Sequence, residues 1–175
     1  MIESLVETVK IKVPYPSLPE ITCAASLAHH RLLGPVRGMR LKNVDLSTIP
    51  SQHMASLSSC VVRGVIICNV TGCDLVTILD SLKCGVLSIS FQRLGREETQ
   101  ALVEAMESHL VSVTLSDEVT LDIRVLARYS GQGVCKKLTL YNTAADKYRE
   151  DIRTLARSKN LKVHESESSI NICFT

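Results

Sequence analysis

Residues 36–44 read VRGMRLKNV and residues 62–70 read VRGVIICNV. Both stretches open on Val-Arg-Gly and close on Asn-Val, 26 residues apart. A phrase that returns at such a period marks a repeat architecture, so its further echoes decide the fold. Each phrase carries two apolar residues flanking a single one: Met39 and Leu41, then Val65 and Ile67. The pair returns as Leu87 and Ile89, Val113 and Leu115, and Leu138 and Leu140. A weaker echo falls at Leu161 and Val163, and Ile11 and Val13 open the series. First members of the five clear pairs are spaced by 26, 22, 26 and 25 residues. Alternation of this kind is the period of a short strand with one buried face. Two residues past each pair stand Asn43, Asn69, Phe91, Asp117 and Asn142. All but Phe91 are polar and suited to turns.

Between the pairs the period becomes helical. ETQALVEAMESHL places Leu102, Ala105, Met106 and His109 on one face. TAADKYREDIRTLARS does the same with Tyr148, Ile152, Leu155 and Ala156, and Thr143 stands as its N-cap three residues before Asp146. SQHMASLSS, DLVTILDSL and TLDIRVLARY fill the corresponding slots. Each unit therefore reads as strand, turn and helix, and one such unit cannot bury its apolar side alone, so units must stack. The expected fold is a curved α/β solenoid, with a concave parallel sheet and convex helices. It would be a single domain over 1–175, of about six to seven repeats. A doubly wound α/β domain also alternates strand and helix. It would normally carry Gly-rich strand-to-helix turns for phosphate, which this chain lacks.

The phrase VRGMRLKNVDL, with Val36, Met39, Leu41 and Leu46 at its apolar places, resembles the leucine-rich repeat. ALVEAMESHLVSVTL is similar to the helix-to-strand join of the long repeats in ribonuclease inhibitor and in NOD-like innate immune receptors. The likeness runs from about Val36 to Val163. The position of the family's asparagine ladder holds Val44, Val70, Gln92, Glu118 and Thr143, with Asn or Asp one place early. The resemblance implies a cytosolic ligand-recognition or regulatory repeat domain, either the carboxy-terminal part of a larger NOD-like receptor or a stand-alone relative. A ribonuclease-inhibitor-like inhibitor or scaffold is the alternative, and a small α/β enzyme the third reading.

Composition narrows the classes. The net charge of +2 gives no strong footprint for nucleic acid. Two Phe, four Tyr and no Trp are too few for base-stacking platforms. No apolar run reaches the roughly 20 residues of a membrane span, so no membrane insertion is expected. MIESLVETVK is amphipathic and acid-bearing, unlike a secretory leader. The seven cysteines are an odd number, so they are expected to be reduced thiols in a cytoplasmic setting.

No catalytic arrangement emerges. Cys23 with His29 and His30 lacks the paired short spacings of a structural zinc site. GQGVCKK lacks P-loop spacing, and Gly131 or Gly133 reads as a helix end. GREETQ and KYRED read as solvated helix faces. Neither enzyme activity, metal nor cofactor is expected. What remains is the concave face, formed by residues flanking the inward pairs. Those expected to bind a protein or microbial ligand are Arg40, Lys42, Ile66, Ser88, Thr114, Thr139, Tyr141 and Lys162.

Overall fold

A computed structural model describes residues 10–11, 19–21, 38–43, 45, 47, 64–72, 75–81, 84–129 and 132–174. The chain divides into two compact units, Met1–Cys84 and Gly85–Thr175. Both are mixed α/β; the described strands pair twice parallel and once antiparallel in the first unit, and twice each way in the second.

In the first unit, β1 (Lys10–Ile11) pairs antiparallel with β2 (Pro19–Ile21). Strand β3 (Gly38–Lys42) lies parallel to β2 and to β4 (Gly64–Cys68). The two opening phrases thus lie side by side, Met39 against Val65 and Leu41 against Ile67. Leu41, Val65 and Ile67 are buried, as the alternation requires. Helix α1 (Leu75–Ser81) supplies Leu75, Ile78 and Leu79 to this core.

The second unit runs β5 (Val86–Ser90), α2 (Arg96–Ser108), β6 (Ser112–Ser116), α3 (Ile123–Leu126), β7 (Lys137–Tyr141), α4 (Asn142–Lys159), β8 (Lys162–Glu165) and β9 (Ser169–Cys173). Its strand order is β5-β6-β7-β9-β8. Leu87, Val113 and Leu138 form one cross-strand row, and Ile89, Leu115 and Leu140 the next. All six are essentially inaccessible. Helix α4 packs on β6, β7 and β9 through Tyr148, Ile152, Leu155 and Ala156, the face its sequence marks out. Helix α2 buries Leu102, Ala105 and Met106 in the same manner.

The recurrent turn residue has a physical cause. Asn43, Asn69, Phe91, Asp117 and Asn142 follow β3 to β7, and each takes a positive φ between 49° and 55°. Asn and Asp tolerate this left-handed conformation because their short side chains bond locally. The side chains also reach the equivalent residue of the neighbouring turn. Asn69 Nδ2 donates to Asn43 Oδ1 at 2.9 Å, and Asn142 Nδ2 to Asp117 Oδ1 at 3.0 Å. Among the described residues these two bonds each join neighbouring turns within one unit, one place before Val70 and Thr143.

Other expectations change. The pair Leu161 and Val163 does not continue the parallel series. β9 inserts antiparallel against β7, and β8 follows antiparallel outside it. The reason is apolar: Ile170, Ile172 and Phe174 of the terminal segment are buried and complete the core. The TLDIRVLARY slot holds only the four-residue α3, capped by Asp122 Oδ1 accepting from Arg124 N–H. Thr143 is not the N-cap of α4; Tyr141 stands there, and Thr143 is exposed in the first turn. Gly133 does not end a helix. A Cβ there would sit 2.4 Å from Glu107 Cα, so its role is close approach to the end of α2. Cys23, Cys60, Cys73, His29, His30, Gly131 and the segment SQHMASLSS lie outside the described residues.

Candidate functional site

The residues alternating with the buried rows form the other face of each sheet. In the first unit this face holds Arg40 opposite Ile66 and Lys42 opposite Cys68. Arg40 and Ile66 are half-buried, and Lys42 is exposed. In the second unit one row runs Ser88, Thr114, Thr139, Asn171 and His164 across β5, β6, β7, β9 and β8. A second row runs Ser90, Ser116, Tyr141 and Ser169. At the strand-entry end lie Val86, Ser112, Lys137, Cys173 and Lys162.

The register thus brings Ser88, Thr114 and Thr139 together and puts Tyr141 one row away. The structure sets two of the expected residues apart from the others. Thr139 is only 2% exposed, and its hydroxyl donates to Asn171 Oδ1 at 2.8 Å, so it ties β7 to β9 instead of offering a contact. Lys162 is exposed, but it sits on the antiparallel outer strand, on the row of Lys137 and not that of Tyr141. Sequence reading also missed contributors. Asn171 and His164 reach the middle row from β9 and β8. The alternation in SINIC, with Ile170 and Ile172 inward and Asn171 outward, was the available signal.

Chemically the middle of this face is uncharged. Serine and threonine hydroxyls both donate and accept, which suits a surface that matches polar groups without a desolvated charge. Tyr141, 40% exposed, is its large amphipathic member. Phe91, left-handed and half exposed, stands just past β5 on the same side of the turn series as Asp117 and Asn142.

The perturbed titrations lie elsewhere and are structural. Burial pushes the Tyr129 phenol up to about 12, with the Cys135 and Glu107 charges adding to it. Burial likewise pushes the Cys135 thiol up to about 11. Tyr129 stacks edge-on against Phe174 with centroids 4.9 Å apart. On α4, Arg153 donates to Glu165 at 2.7 and 2.9 Å and also pairs with Glu150. These bonds hold the Glu165 carboxyl below its usual range. Arg149 donates to Glu165 and to the carbonyls of Ser166 and Glu167, so KYRED is a clasp on the β8–β9 turn as well as a solvated face.

Among the described residues, no group of three metal-ligating side chains forms. No helix among them is long and apolar enough to cross a membrane. Cys68, Cys135 and Cys173 are thiols, and Cys84 is buried. Compared with protein-family models, curated proteins and solved structures, the chain matches none.

Proposed function

We propose that this chain is a recognition module of the leucine-rich-repeat class that binds a protein partner through the strand face opposite its helices. The observation that carries the reading is the face itself: hydroxyl rows on rigid strands, ending at the partly exposed ring of Tyr141. Tyr is enriched among interface hot spots because one ring combines area with a directional hydroxyl. Strand-borne side chains are also preorganised, which lowers the entropic cost of binding. The even spacing of the paired strands and the side-chain bonds between left-handed turns support assignment to stacked repeats. In this reading the repeats serve a cytosolic receptor of the NOD-like kind, and the chain carries no catalytic group of its own. Arg40, Lys42 and Ile66 play the corresponding part in the first unit.

Photo-crosslinking tests it. A benzophenone side chain placed at Ser116 or Thr114 should capture one discrete partner, and Tyr141→Ala should weaken that capture at least tenfold. The same crosslinker at Glu97 or Arg128, both exposed away from the strands, should capture nothing in common. Capture of the same partner from those positions, undiminished by Tyr141→Ala, would overturn the reading.

A further inference from the structure

Strand β8 is the outermost of the Gly85–Thr175 sheet, and among the described residues it pairs with β9 alone. The hairpin fixes which of its backbone groups face the free edge. Ser166 N–H donates to Ser169 O at 2.9 Å, so these two residues are a hydrogen-bonded pair. Bonded and non-bonded pairs alternate along an antiparallel ladder. By the register of the strands, His164 with Asn171 and Lys162 with Cys173 are therefore bonded pairs too. The N–H and C=O of Val163 and Glu165 are left pointing outward, spaced to receive another strand.

The edge is also polarised along its length. Helix α4 runs beside β8 in the opposite sense: Arg149 and Arg153 reach Glu165, while Ala156 and Arg157 share a pocket with Leu161 and Val163. Arg157, Lys159 and Lys162 gather where α4 ends and β8 begins. None of the three forms an ion pair among the described residues. At the other end stand Asp146, Glu150, Glu165 and Glu167, with Arg149 and Arg153 to offset them. One end is thus basic, and the other keeps an excess of carboxylates. A surface with unlike charge at its two ends complements itself when turned about a two-fold axis.

We propose that β8 is a self-association edge, which pairs antiparallel with β8 of a second copy about a two-fold axis through His164. Val163 of each copy then lies opposite Glu165 of the other. Each such pair exchanges two bonds, so every outward group of both strands is satisfied. The neighbouring registers do worse. An axis at Val163 sets Glu165 against Leu161, whose N–H is already held by Ala156 O. An axis at Glu165 sets two carboxylates directly opposite. In the proposed register unlike charges meet instead. Arg157, which shares the pocket of Val163, approaches Glu165 of the other copy, and Lys162 lies opposite Ser166, beside Glu167. The axis stands perpendicular to the sheet, so both copies present the same face. His164 therefore joins the two middle rows, and a dimer offers a ligand two recognition faces in one continuous sheet. The strand is short, so the association is of the weak, concentration-dependent kind.

The test uses the full chain and needs no partner protein, so its outcome is separate from that of the strand-face reading. Sedimentation should show a monomer–dimer equilibrium that moves toward dimer between about 10 µM and 1 mM. Over that range the Val163 and Glu165 amides should gain about fivefold in protection from hydrogen exchange, and the already bonded Lys162 and His164 amides less. His164→Cys, at an exposed site, sets two thiols on a non-bonded pair with Cα atoms about 4.5 Å apart, within disulfide reach. Oxidised glutathione should link the two introduced thiols, as mapped by mass spectrometry of the digested dimer. Lys162→Cys, which faces Ser166 and not its own equivalent, should give no such link. Arg157→Glu should weaken the dimer by about fivefold. Three results overturn the proposal: a monomer throughout, a dimer whose Val163 and Glu165 amides gain no protection, or equal linking from positions 162 and 164.

Discussion

Phe91 is the residue that breaks its own series. Four turns place Asn or Asp in the left-handed conformation; the fifth places a phenylalanine there, at φ 49°. A bulky side chain pays for that backbone, by about 1–2 kcal/mol per residue. Its ring is half exposed, so little packing is recovered. Phe91→Asn should therefore raise stability by about 1 kcal/mol, read as a higher urea midpoint at unchanged slope. Asn would also stand where it can donate to Asp117, as Asn142 does from the other side. A lower midpoint would mean that the ring makes contacts the strain argument omits. Asn43, Asn69, Asp117 and Asn142 were legible as turns from type alone. That position 91 is also left-handed was legible only from its place in the period.

At the level of elements, the β8–β9 hairpin is held from two directions. Ile170 and Ile172 anchor it in the core, and Arg149 and Arg153 grip Glu165 and the carbonyls of Ser166 and Glu167 from α4. Glu165 is held below the usual carboxyl range mainly by the bonds from Arg153. In the folded protein it thus binds fewer protons than in the unfolded chain through that window. Its contribution is complete above the ordinary glutamate value of about 4.3 and is lost as pH falls through the lower folded value. Protection of the 162–169 amides, relative to their intrinsic exchange at each pH, should fall on acidification below about pH 4, and Glu165→Gln should lower it already at pH 7. Exchange rates in the variant equal to those of the parent would remove the clasp from the account. The helical period marked α2 and α4 correctly, because long amphipathic faces carry a strong signal. The brief α3 was overestimated, since TLDIRVLARY has the period but buries only Val125 and Leu126 within the helix.

Across the Gly85–Thr175 unit, the terminal strand completes the sheet and the core together. Deleting residues 166–175 would strip β7 of its antiparallel neighbour and remove Ile170, Ile172 and Phe174. Losing several buried apolar side chains at about 2–5 kcal/mol each exceeds what a small unit can spare. The truncated protein should lose the slowly exchanging amides of β5, β6 and β7. Retention of that protection would make the hairpin an accessory to the fold.

The sequence by itself determined the apolar pairs of β3 to β7 and the turn residue that follows each of those strands. These depend on local alternation and on the backbone preferences of single residues, both of which a chain displays in order. Only the tertiary structure decided that Thr139 is a buried tie, that Arg149 is a clasp and that β9 comes between β7 and β8. Each of those outcomes rests on a contact between residues distant in the chain, Thr139 with Asn171, Arg149 with Glu165, Leu140 with Ile170. A strand pattern states which face is apolar but not which neighbour will cover it, and the choice falls to whichever segment buries the most apolar surface.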